Sequence, residues 1–504
     1  MKKVWIKFVV LISLGAIGLV VYFSLLKKGS APLKAQTIDE MLALPDEEID
    51  VGLGALLIGK EYDPDLDVRR YLKKLDKMAD ELRSRISDEA QPREIIAVIG
   101  RYVFQELGYV VPKEEGQNAG DNFLHVLLER GEGECSRLST LYVALAERLG
   151  LPLFGVSAPR HLFVRYVRGG TRINIETTLK GVSPPDSYYV ARYHVPDTPA
   201  AARFYMASLS KRDFLAALLS NLAAAQLQEG NLKEALDVCW KSLAVCPNDP
   251  QAWGNLGAAY LARGEATEAV VAIRKALEIN PVEPILWNNL GNAYTRQDRM
   301  DEAILAYSTA RQLDPHYAEA WDNLGTAYFK LRKIEEAVAA CEKAVSINPN
   351  DAKLWFNLSL AYLEQRKPEQ ALRAAKEAVA VNPDHGKAWY NIGQAHLELG
   401  DPDRAIPACR KALTINSGFA EAWDLLGRAH AEQGRFDEAI ASHEKSIAIA
   451  PDVGETWNNL AAAYYLKGDY PFAWSCVHKC RELGHSVNAK LLRALQAKMT
   501  DPGG

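Results

Sequence analysis

The sequence is poor in cysteine and carries no large excess of charge of either sign. Its 504 residues include only seven cysteines, too few for a dense disulfide framework in a chain of this length. No cysteine and histidine pairs have the spacing of zinc ligands, so we expect no metal site. The formal net charge of −5 gives no reason to expect nucleic acid as a partner. Nothing in the composition requires a cofactor, and we expect none.

Charge is also missing from one segment near the N-terminus. Residues 8–26 contain no charged side chain and are long enough to cross the roughly 30 Å hydrocarbon core of a bilayer as a helix. Lys27 and Lys28 stand where a cleaved signal peptide would have small residues, which favours an uncleaved anchor. We therefore expect an N-terminal membrane anchor over residues 1–30 of a single-pass protein.

The side of the membrane on which the rest of the chain lies is a separate question. Lysines are equally numerous on both sides of the apolar segment, so the positive-inside rule does not fix the orientation. The short basic N-terminus resembles a signal anchor. We therefore favour a body on the exported side, which would be periplasmic in a Gram-negative bacterium.

The C-terminal half is strictly periodic. Seven tryptophans follow one another at intervals of 34 residues: Trp253, Trp287, Trp321, Trp355, Trp389, Trp423 and Trp457. Prolines keep the same period, with Ser417 and His485 in place of two of them. Period and pattern resemble the tetratricopeptide repeat, a pair of antiparallel helices that stacks on its neighbours and ends at a proline.

This resemblance implies a mainly α fold with an α-solenoid of eight repeats. The predicted repeats are 216–249, 250–283, 284–317, 318–351, 352–385, 386–419, 420–453 and 454–487, followed by a capping helix and tail at 488–504. Cys239, Cys341 and Cys409 recur at one place in the repeat and are interpreted as small buried apolar residues. Pro407 falls inside a second helix and predicts a kink or a late helix start.

Asparagine recurs two residues after the repeat tryptophan, at Asn255, Asn289, Asn323, Asn357, Asn391 and Asn459. Only Leu425 departs from the series. Such a series resembles the asparagine ladder in the peptide-binding repeats of O-linked N-acetylglucosamine transferases, although we expect no glycosyltransferase domain because only residues 488–504 follow the array. Carboxamides can pair with a ligand's backbone irrespective of its sequence, so we interpret the ladder as a peptide-binding groove. The alternative is that asparagine is merely tolerated at this helix position.

Farther along the same helices the charge changes sign. The series runs from basic to acidic through Arg296, Lys330, Glu364, Glu398 and Glu432. A ligand with opposite charges at its two ends would suit this order. A solvated helix surface is the alternative explanation.

Residues 37–212 have a different pattern and predict a separate α+β domain. Helical periodicity covers 49–59, 65–86 and 93–107, and a polar loop follows at 116–121. A helix is expected over 136–149, starting at Cys135. Three strands are expected over 153–157, 162–168 and 171–177, the last two forming a hairpin that turns at Gly169 and Gly170.

Three motifs in this region resemble the transglutaminase-like superfamily, which has a papain-like architecture, over roughly residues 48–195. They are GECSRLS at a helix start, PRHLFVRY at a strand start, and NIETT. The resemblance implies Cys135 as nucleophile, His161 as general base and Glu176 as the residue that orients the histidine. The family more often has aspartate at the last position.

Local chemistry agrees with this assignment. The positive end of a helix dipole and its unpaired N–H groups stabilise a thiolate and could hold an oxyanion. A two-residue hairpin turn would place Phe163 opposite Glu176, and His161 shares a strand face with Phe163. Alternatively, the three residues are a small buried cysteine, a satisfied histidine and a surface acid.

Two hypotheses about function follow. The first is a membrane-anchored cysteine peptidase, amidase or transglutaminase-like enzyme that acts on amide bonds, with the repeats selecting protein substrates. The second is a non-catalytic scaffold that assembles protein complexes at the membrane.

Overall fold

The computed structural model describes residues 33–87, 89–112 and 123–502. These residues divide into two compact units, one formed by residues up to 263 together with 274–281, the other by 264–273 together with 282 onward. The predicted membrane segment at 8–26 and the predicted loop at 116–121 lie outside the described residues. Within the part of the chain that the structure describes, no helix combines the length and the hydropathy needed to span a bilayer.

The first unit begins with helices that pack around the one that starts at Cys135. Its helices up to the first repeat are α1 Ile38–Ala43, α2 Val51–Tyr62, α3 Val68–Arg83, α4 Pro92–Arg101, α5 Leu124–Arg130, α6 Cys135–Leu149 and α7 Asp186–Tyr193. The side chains of Asp50 and Asp67 accept N–H groups in the first turns of α2 and α3. These caps explain why both helices start later than the predicted 49 and 65. Helix α4 is also shorter than predicted, because a π-helical turn continues it over Tyr102–Glu106.

A three-stranded antiparallel sheet lies beside these helices in the order β1-β2-β3. Its strands are β1 Leu153–Ala158, β2 His161–Arg168 and β3 Thr171–Ile175. Arg168 stands opposite Thr171 as predicted, across a turn in which Gly169 and Gly170 both have positive φ. The ladder ends at Val164 opposite Ile175, so β3 is shorter than predicted. The Glu176 N–H turns away from β2 and donates to the Val182 carbonyl instead.

The hydrophobic core of this region is centred on α6. Leu138, Leu141, Tyr142 and Leu145 of α6 are fully buried. The helix packs against β1 and β2 on one side and against α2 and α3 on the other. The first residue of α6 is therefore carried by a rigid element.

The first repeat helix, α8 Lys211–Gln228, is part of this core as well. It starts before the predicted repeat boundary at 216. A Cβ on Gly155 of β1 would overlap the Phe214 ring, and one on Gly54 of α2 would overlap Leu215. Both glycines are needed for this close approach, so the domain and the first repeat share α8.

Each of the eight predicted repeat spans contains a pair of helices. The first helices after α8 are α10 Pro250–Arg263, α12 Pro284–Arg296, α14 Ala318–Lys330, α16 Ala352–Glu364, α18 Gly386–Glu398, α20 Ala420–Glu432 and α22 Gly454–Lys467. The second helices are α9 Leu232–Val245, α11 Ala266–Ile279, α13 Met300–Leu313, α15 Ile334–Ile347, α17 Pro368–Val381, α19 Pro402–Ile415, α21 Phe436–Ile449 and α23 Tyr470–Glu482. A last helix, α24 Ala489–Gln496, buries Leu495 in the core of the final pair.

Within the second unit each pair packs on the next. The repeat tryptophans are half-buried, and the indole N–H donates to the carbonyl six residues earlier, as from Trp321 to Pro315 at 3.1 Å. Trp423 makes the same bond to Ser417, which shows that the carbonyl and not the proline ring is the partner. Helix α19 starts at Pro402 and is continuous through Pro407, so the late start predicted there is wrong.

The recurring cysteines lie where the two helices of a repeat approach most closely. A Cβ on Gly325 would be 2.8 Å from the Cys341 Sγ, and one on Gly393 would be 2.9 Å from the Cys409 Sγ. A thiol is small enough to fill this space without pushing the helices apart. These cysteines are buried packing residues.

Candidate active site

Cys135 is the first residue of α6, and its side chain is partly exposed to solvent. The backbone N–H groups of a first helical turn have no carbonyl partner inside the helix. They therefore favour negative charge at this point, both on a thiolate and on an oxygen bound beside it. Cys135 is close enough to His161 to be one of the groups that raise the pKa of its imidazole.

His161 and Glu176 form a buried pair. The His161 Nε2 atom lies 2.7 Å from Oε2 of Glu176, and the two side chains are only 5% and 1% exposed. The second carboxylate oxygen of Glu176 accepts from the Thr178 backbone N–H at 3.0 Å and from the Thr178 hydroxyl at 2.6 Å. These three contacts fix both carboxylate oxygens, so Glu176 holds the imidazole in a fixed plane.

The charges of the pair follow from these contacts. Burial alone would lower the pKa of His161, but hydrogen bonds to Cys135 and Glu176 outweigh it and raise that pKa to about 9. Burial alone would raise the pKa of Glu176, but the contacts with His161 and Thr178 outweigh it and lower that pKa. At neutral pH the pair is therefore an imidazolium and a carboxylate.

A single buried hydroxyl connects the elements that carry the three residues. Ser139, one helical turn after Cys135, donates to the carbonyl of Leu162 at 3.0 Å and lies 3.2 Å from the Thr177 hydroxyl. Leu162 follows His161 in the chain, and Thr177 follows Glu176. Ser139 therefore fixes the relative positions of α6, β2 and the turn after β3.

The other cysteines have a different environment. Burial raises the pKa of each of Cys239, Cys246, Cys341, Cys409 and Cys476 to about 12. All seven cysteines are free thiols. Cys135 is thus the accessible thiol with a basic partner, and it is chemically distinguishable from the repeat cysteines.

The predicted asparagine ladder makes contacts between repeats. Asn323 donates to Asn288 at 2.9 Å, and Asn357 donates to Asp322 at 2.7 Å. Asn459 donates to Asp424 at 2.9 Å. In each case the acceptor is the residue that follows the tryptophan of the preceding repeat. Within the first unit, Asn255 donates to a backbone carbonyl at the equivalent distance along the chain, that of Ser220.

The exceptions in the ladder have a physical reason. The repeat before Asn391 has Phe356 at the acceptor position, and Asn391 instead donates to the hydroxyl of Ser359 at 2.7 Å. Other repeats have glycine or alanine where Ser359 stands. Leu425, which interrupts the series, follows a repeat that has Tyr390 at the acceptor position. The asparagines whose contacts are described therefore each donate to an oxygen of the previous repeat.

The structure places the predicted Cys135 at the start of α6 and brings His161 and Glu176 together, and sequence reasoning missed the hydroxyl residues around them. Ser139 and Thr178 are ordinary hydroxyl residues in a helix and a turn, and no pattern distinguishes them. The acceptors Asn288, Asp322 and Asp424 did leave a signal, because each stands 35 residues before an asparagine of the ladder.

Comparison with known proteins defines the class of each half. Residues 69–219 match the family model of the transglutaminase-like superfamily, and six tetratricopeptide-repeat models match segments between residues 216 and 464. The chain therefore carries a transglutaminase-like domain followed by tetratricopeptide repeats. The first match ends inside α8, in agreement with the packing of that helix on the domain.

Parts of the chain are also similar to individual proteins of known sequence or structure. The UPF0162 protein of Xylella fastidiosa strain 9a5c is 28% identical over 225 residues, which cover 42% of this chain and 78% of the relative. The UPF0162 protein of strain Temecula1 is 29% identical over 222 residues, with the same coverage. Among solved structures, the crystal structure of MamA is 26% identical and covers 33% of this chain and 97% of its own, with a TM-score of 0.31.

Proposed function

We propose that this protein is a thiol-dependent enzyme that acts on amide bonds of protein substrates. The observation that supports it is the geometry of Cys135, His161 and Glu176, in which a thiol at a helix start meets a buried imidazole fixed 2.7 Å from a carboxylate. A nucleophile, a base and a group that orients the base are the parts that acyl transfer to sulfur requires.

The reaction proceeds in two halves. The thiol proton already resides on His161 as the imidazolium, and the Cys135 thiolate attacks the carbonyl carbon of the amide while the carbonyl oxygen turns toward the N–H groups of α6. The C–N bond then breaks, His161 returns the proton to the leaving amine, and a thioester remains on Cys135. Attack on the thioester by water or by a second amine frees the enzyme. The choice of acceptor decides between peptidase or amidase and transferase.

Selective alkylation tests the site. Iodoacetamide near neutral pH should modify Cys135 much faster than the buried repeat cysteines, as measured by peptide mapping over time. His161→Ala should slow this modification, and Cys239→Ser, which removes a buried thiol, should leave it unchanged. Slow and equal modification of all cysteines would contradict the proposal and leave the scaffold hypothesis.

We propose that the repeats bind an extended peptide segment of the substrate along their first helices. The half-buried asparagines use one amide hydrogen to contact the previous repeat, which leaves the carboxamide oxygen and the second hydrogen for a ligand. Thr326 is exposed one turn beyond Asn323 on the same helix.

A phage-displayed library of random peptides tests this surface. Peptides enriched on the wild-type protein should lose binding to Thr326→Trp, which fills the surface without touching the contacts between repeats. Leu305→Trp, an equally large change at a residue that is 67% exposed on a second helix, is the matched control. Equal binding by both variants would place the ligand elsewhere.

We further propose that residues 8–26 anchor the protein in a membrane with its body on the exported side. The support is the uncharged apolar segment and its flanking lysines. Retention in membranes after alkaline carbonate washing, and digestion of the body by protease added to the exported side, are the expected results. Release by carbonate would contradict the anchor, and protection from protease would contradict the orientation.

A further inference from the structure

Helix α7 lies on β2 as a row of three side-chain pairs. The His161 and Tyr193 rings stack with centroids 4.3 Å apart and planes 8° from parallel. The Phe163 and Tyr189 rings stack at 3.7 Å and 14°. These pairs follow each other because two residues of strand and four residues of helix both advance by about 6 Å.

The third pair fixes this alignment. Arg165, two residues beyond Phe163 on the same face of β2, is only 2% exposed, and its Nη2 atom donates to Oδ1 of Asp186 at 2.6 Å. Asp186 is the first residue of α7. Arg165 also donates from Nε to Asn174 and from Nη1 to the Met206 carbonyl. A shift of α7 by one residue would leave this buried guanidinium without its carboxylate, which is costly.

We infer that Tyr193 is a positioning residue for the proposed base, held over His161 by the Arg165–Asp186 pair. This inference rests on the proposed function. Glu176 fixes the imidazole at its edge, whereas the Tyr193 ring covers its face and limits its rotation. The titratable groups that face His161 are Cys135 from α6, Glu176 from the turn after β3, and Tyr189 and Tyr193 from α7.

Removal of the stacked Tyr193 ring should make the protonated form of His161 less favourable. The face of a stacked aromatic ring attracts a cation, and its removal takes this attraction from the imidazolium. Water at the open face would also screen the contact with Glu176. We expect these two losses to outweigh the relief of burial, which acts in the opposite direction. The pH dependence of Cys135 alkylation reports this change, and a purely structural role of Tyr193 would not move it.

The experiment measures Cys135 alkylation by iodoacetamide from pH 5 to pH 9 in the full chain. In Tyr193→Ala the pH at which the alkylation rate rises should be higher by about one unit, and the rate below neutral pH should be lower by about tenfold. Tyr193→Phe, which keeps the stack, should stay within about twofold of the wild type. Arg165→Met should move this pH in the same direction, because it removes the contact with Asp186 that holds α7 on β2.

Tyr188→Ala is the matched control, since it removes a tyrosine from the same helix that does not stack on His161. Should Tyr193→Ala fail to fold, Tyr193→Leu carries the test, because leucine restores apolar volume without a flat ring. A wild-type profile in folded Tyr193→Ala or Tyr193→Leu overturns the inference and leaves the proposed function intact. Absence of selective alkylation in the wild type instead overturns the proposed function.

Discussion

At the scale of single residues, the thiol site depends on side chains that do no chemistry. Ser139 joins α6 to β2 and to the turn after β3 through one hydroxyl, and every atom it contacts belongs to a neighbour of His161 or Glu176. Thr178 fixes the carboxylate of Glu176 through its N–H and its hydroxyl. A small displacement of any of these elements would separate the thiol from its base.

Ser139→Ala should therefore reduce activity more than stability. The substitution removes one buried hydrogen-bond donor, which costs about 1–3 kcal/mol of unfolding free energy, and it lowers the rate of Cys135 alkylation because α6 is no longer fixed to β2. Thr140→Ala is the control, since the Thr140 hydroxyl bonds only within the helix, to the Ser136 carbonyl at 2.6 Å. Equal alkylation rates in the two variants would contradict this role for Ser139.

Stability should depend on pH through His161. Its pKa is raised to about 9 in the folded protein, against about 6.5 in an unfolded chain. The protonated histidine therefore contributes its full stabilisation below about pH 6.5 and loses it as the pH rises through about 9. The pKa of Glu176 is lowered, so its ionised carboxylate stabilises the folded protein at pH values above the ordinary pKa of glutamate. This stabilisation is lost in acid, where the carboxylate becomes protonated.

Urea denaturation of wild type and His161→Gln at several pH values checks this dependence. The free energy of unfolding of the wild type should exceed that of His161→Gln most near pH 6, and the difference should shrink toward pH 9. His316→Gln changes an exposed histidine and should show no such trend. An advantage that grows between pH 7 and pH 9 would contradict the assigned charge state.

At the scale of helices, the repeats are joined by a recurring polar contact as well as by apolar packing. Asp322 is only 1% exposed, and its carboxylate accepts from Asn357 of the next repeat while Lys353 lies 3.0 Å from its second oxygen. The amide contact recurs between Asn459 and Asp424, where the second partner of the carboxylate is His443. A buried carboxylate is tolerated because each neighbour supplies a donor.

Asn357→Ala should destabilise the array by about 1–3 kcal/mol, because the buried carboxylate of Asp322 loses its amide donor. In the Asp322→Ala background the same substitution should cost much less, since the acceptor is gone. A double-mutant cycle measured by thermal unfolding gives the coupling. A coupling of zero would mean that the contact contributes nothing between repeats.

At the scale of the whole chain, the domain and the array are not separable at the boundary that the repeat pattern suggests. Phe214 and Leu215 of α8 fill space against β1 and α2 that only glycine leaves open. The Lys241 ammonium of α9 pairs with Asp39 and Glu61 of the domain at 3.0 and 2.9 Å. The first repeat is therefore a structural part of the transglutaminase-like domain.

A chain of residues 33–281 should fold and keep the selective alkylation of Cys135, whereas a chain of residues 33–212 should not. The shorter chain ends before Phe214 and exposes the apolar faces around Gly54 and Gly155. Circular dichroism on heating and alkylation of Cys135 distinguish the two. A cooperative transition in the shorter chain would show that α8 is dispensable.

The amino-acid sequence by itself determined the helical pairs of the repeats. A period of 34 residues defines such pairs because apolar side chains must recur on one helix face to be buried by a neighbour. GECSRLS, PRHLFVRY and NIETT place Cys135, His161 and Glu176 at the start or end of an element, and this is a local property.

Other features depended on contacts between residues distant in the chain. Helix α8 belongs to two structures at once, and Tyr193 stacks on His161 from a helix that Asp186 joins to Arg165 of β2. Such contacts form between side chains whose separation along the chain carries no regular pattern. Their partners become identifiable only when packing brings the elements together.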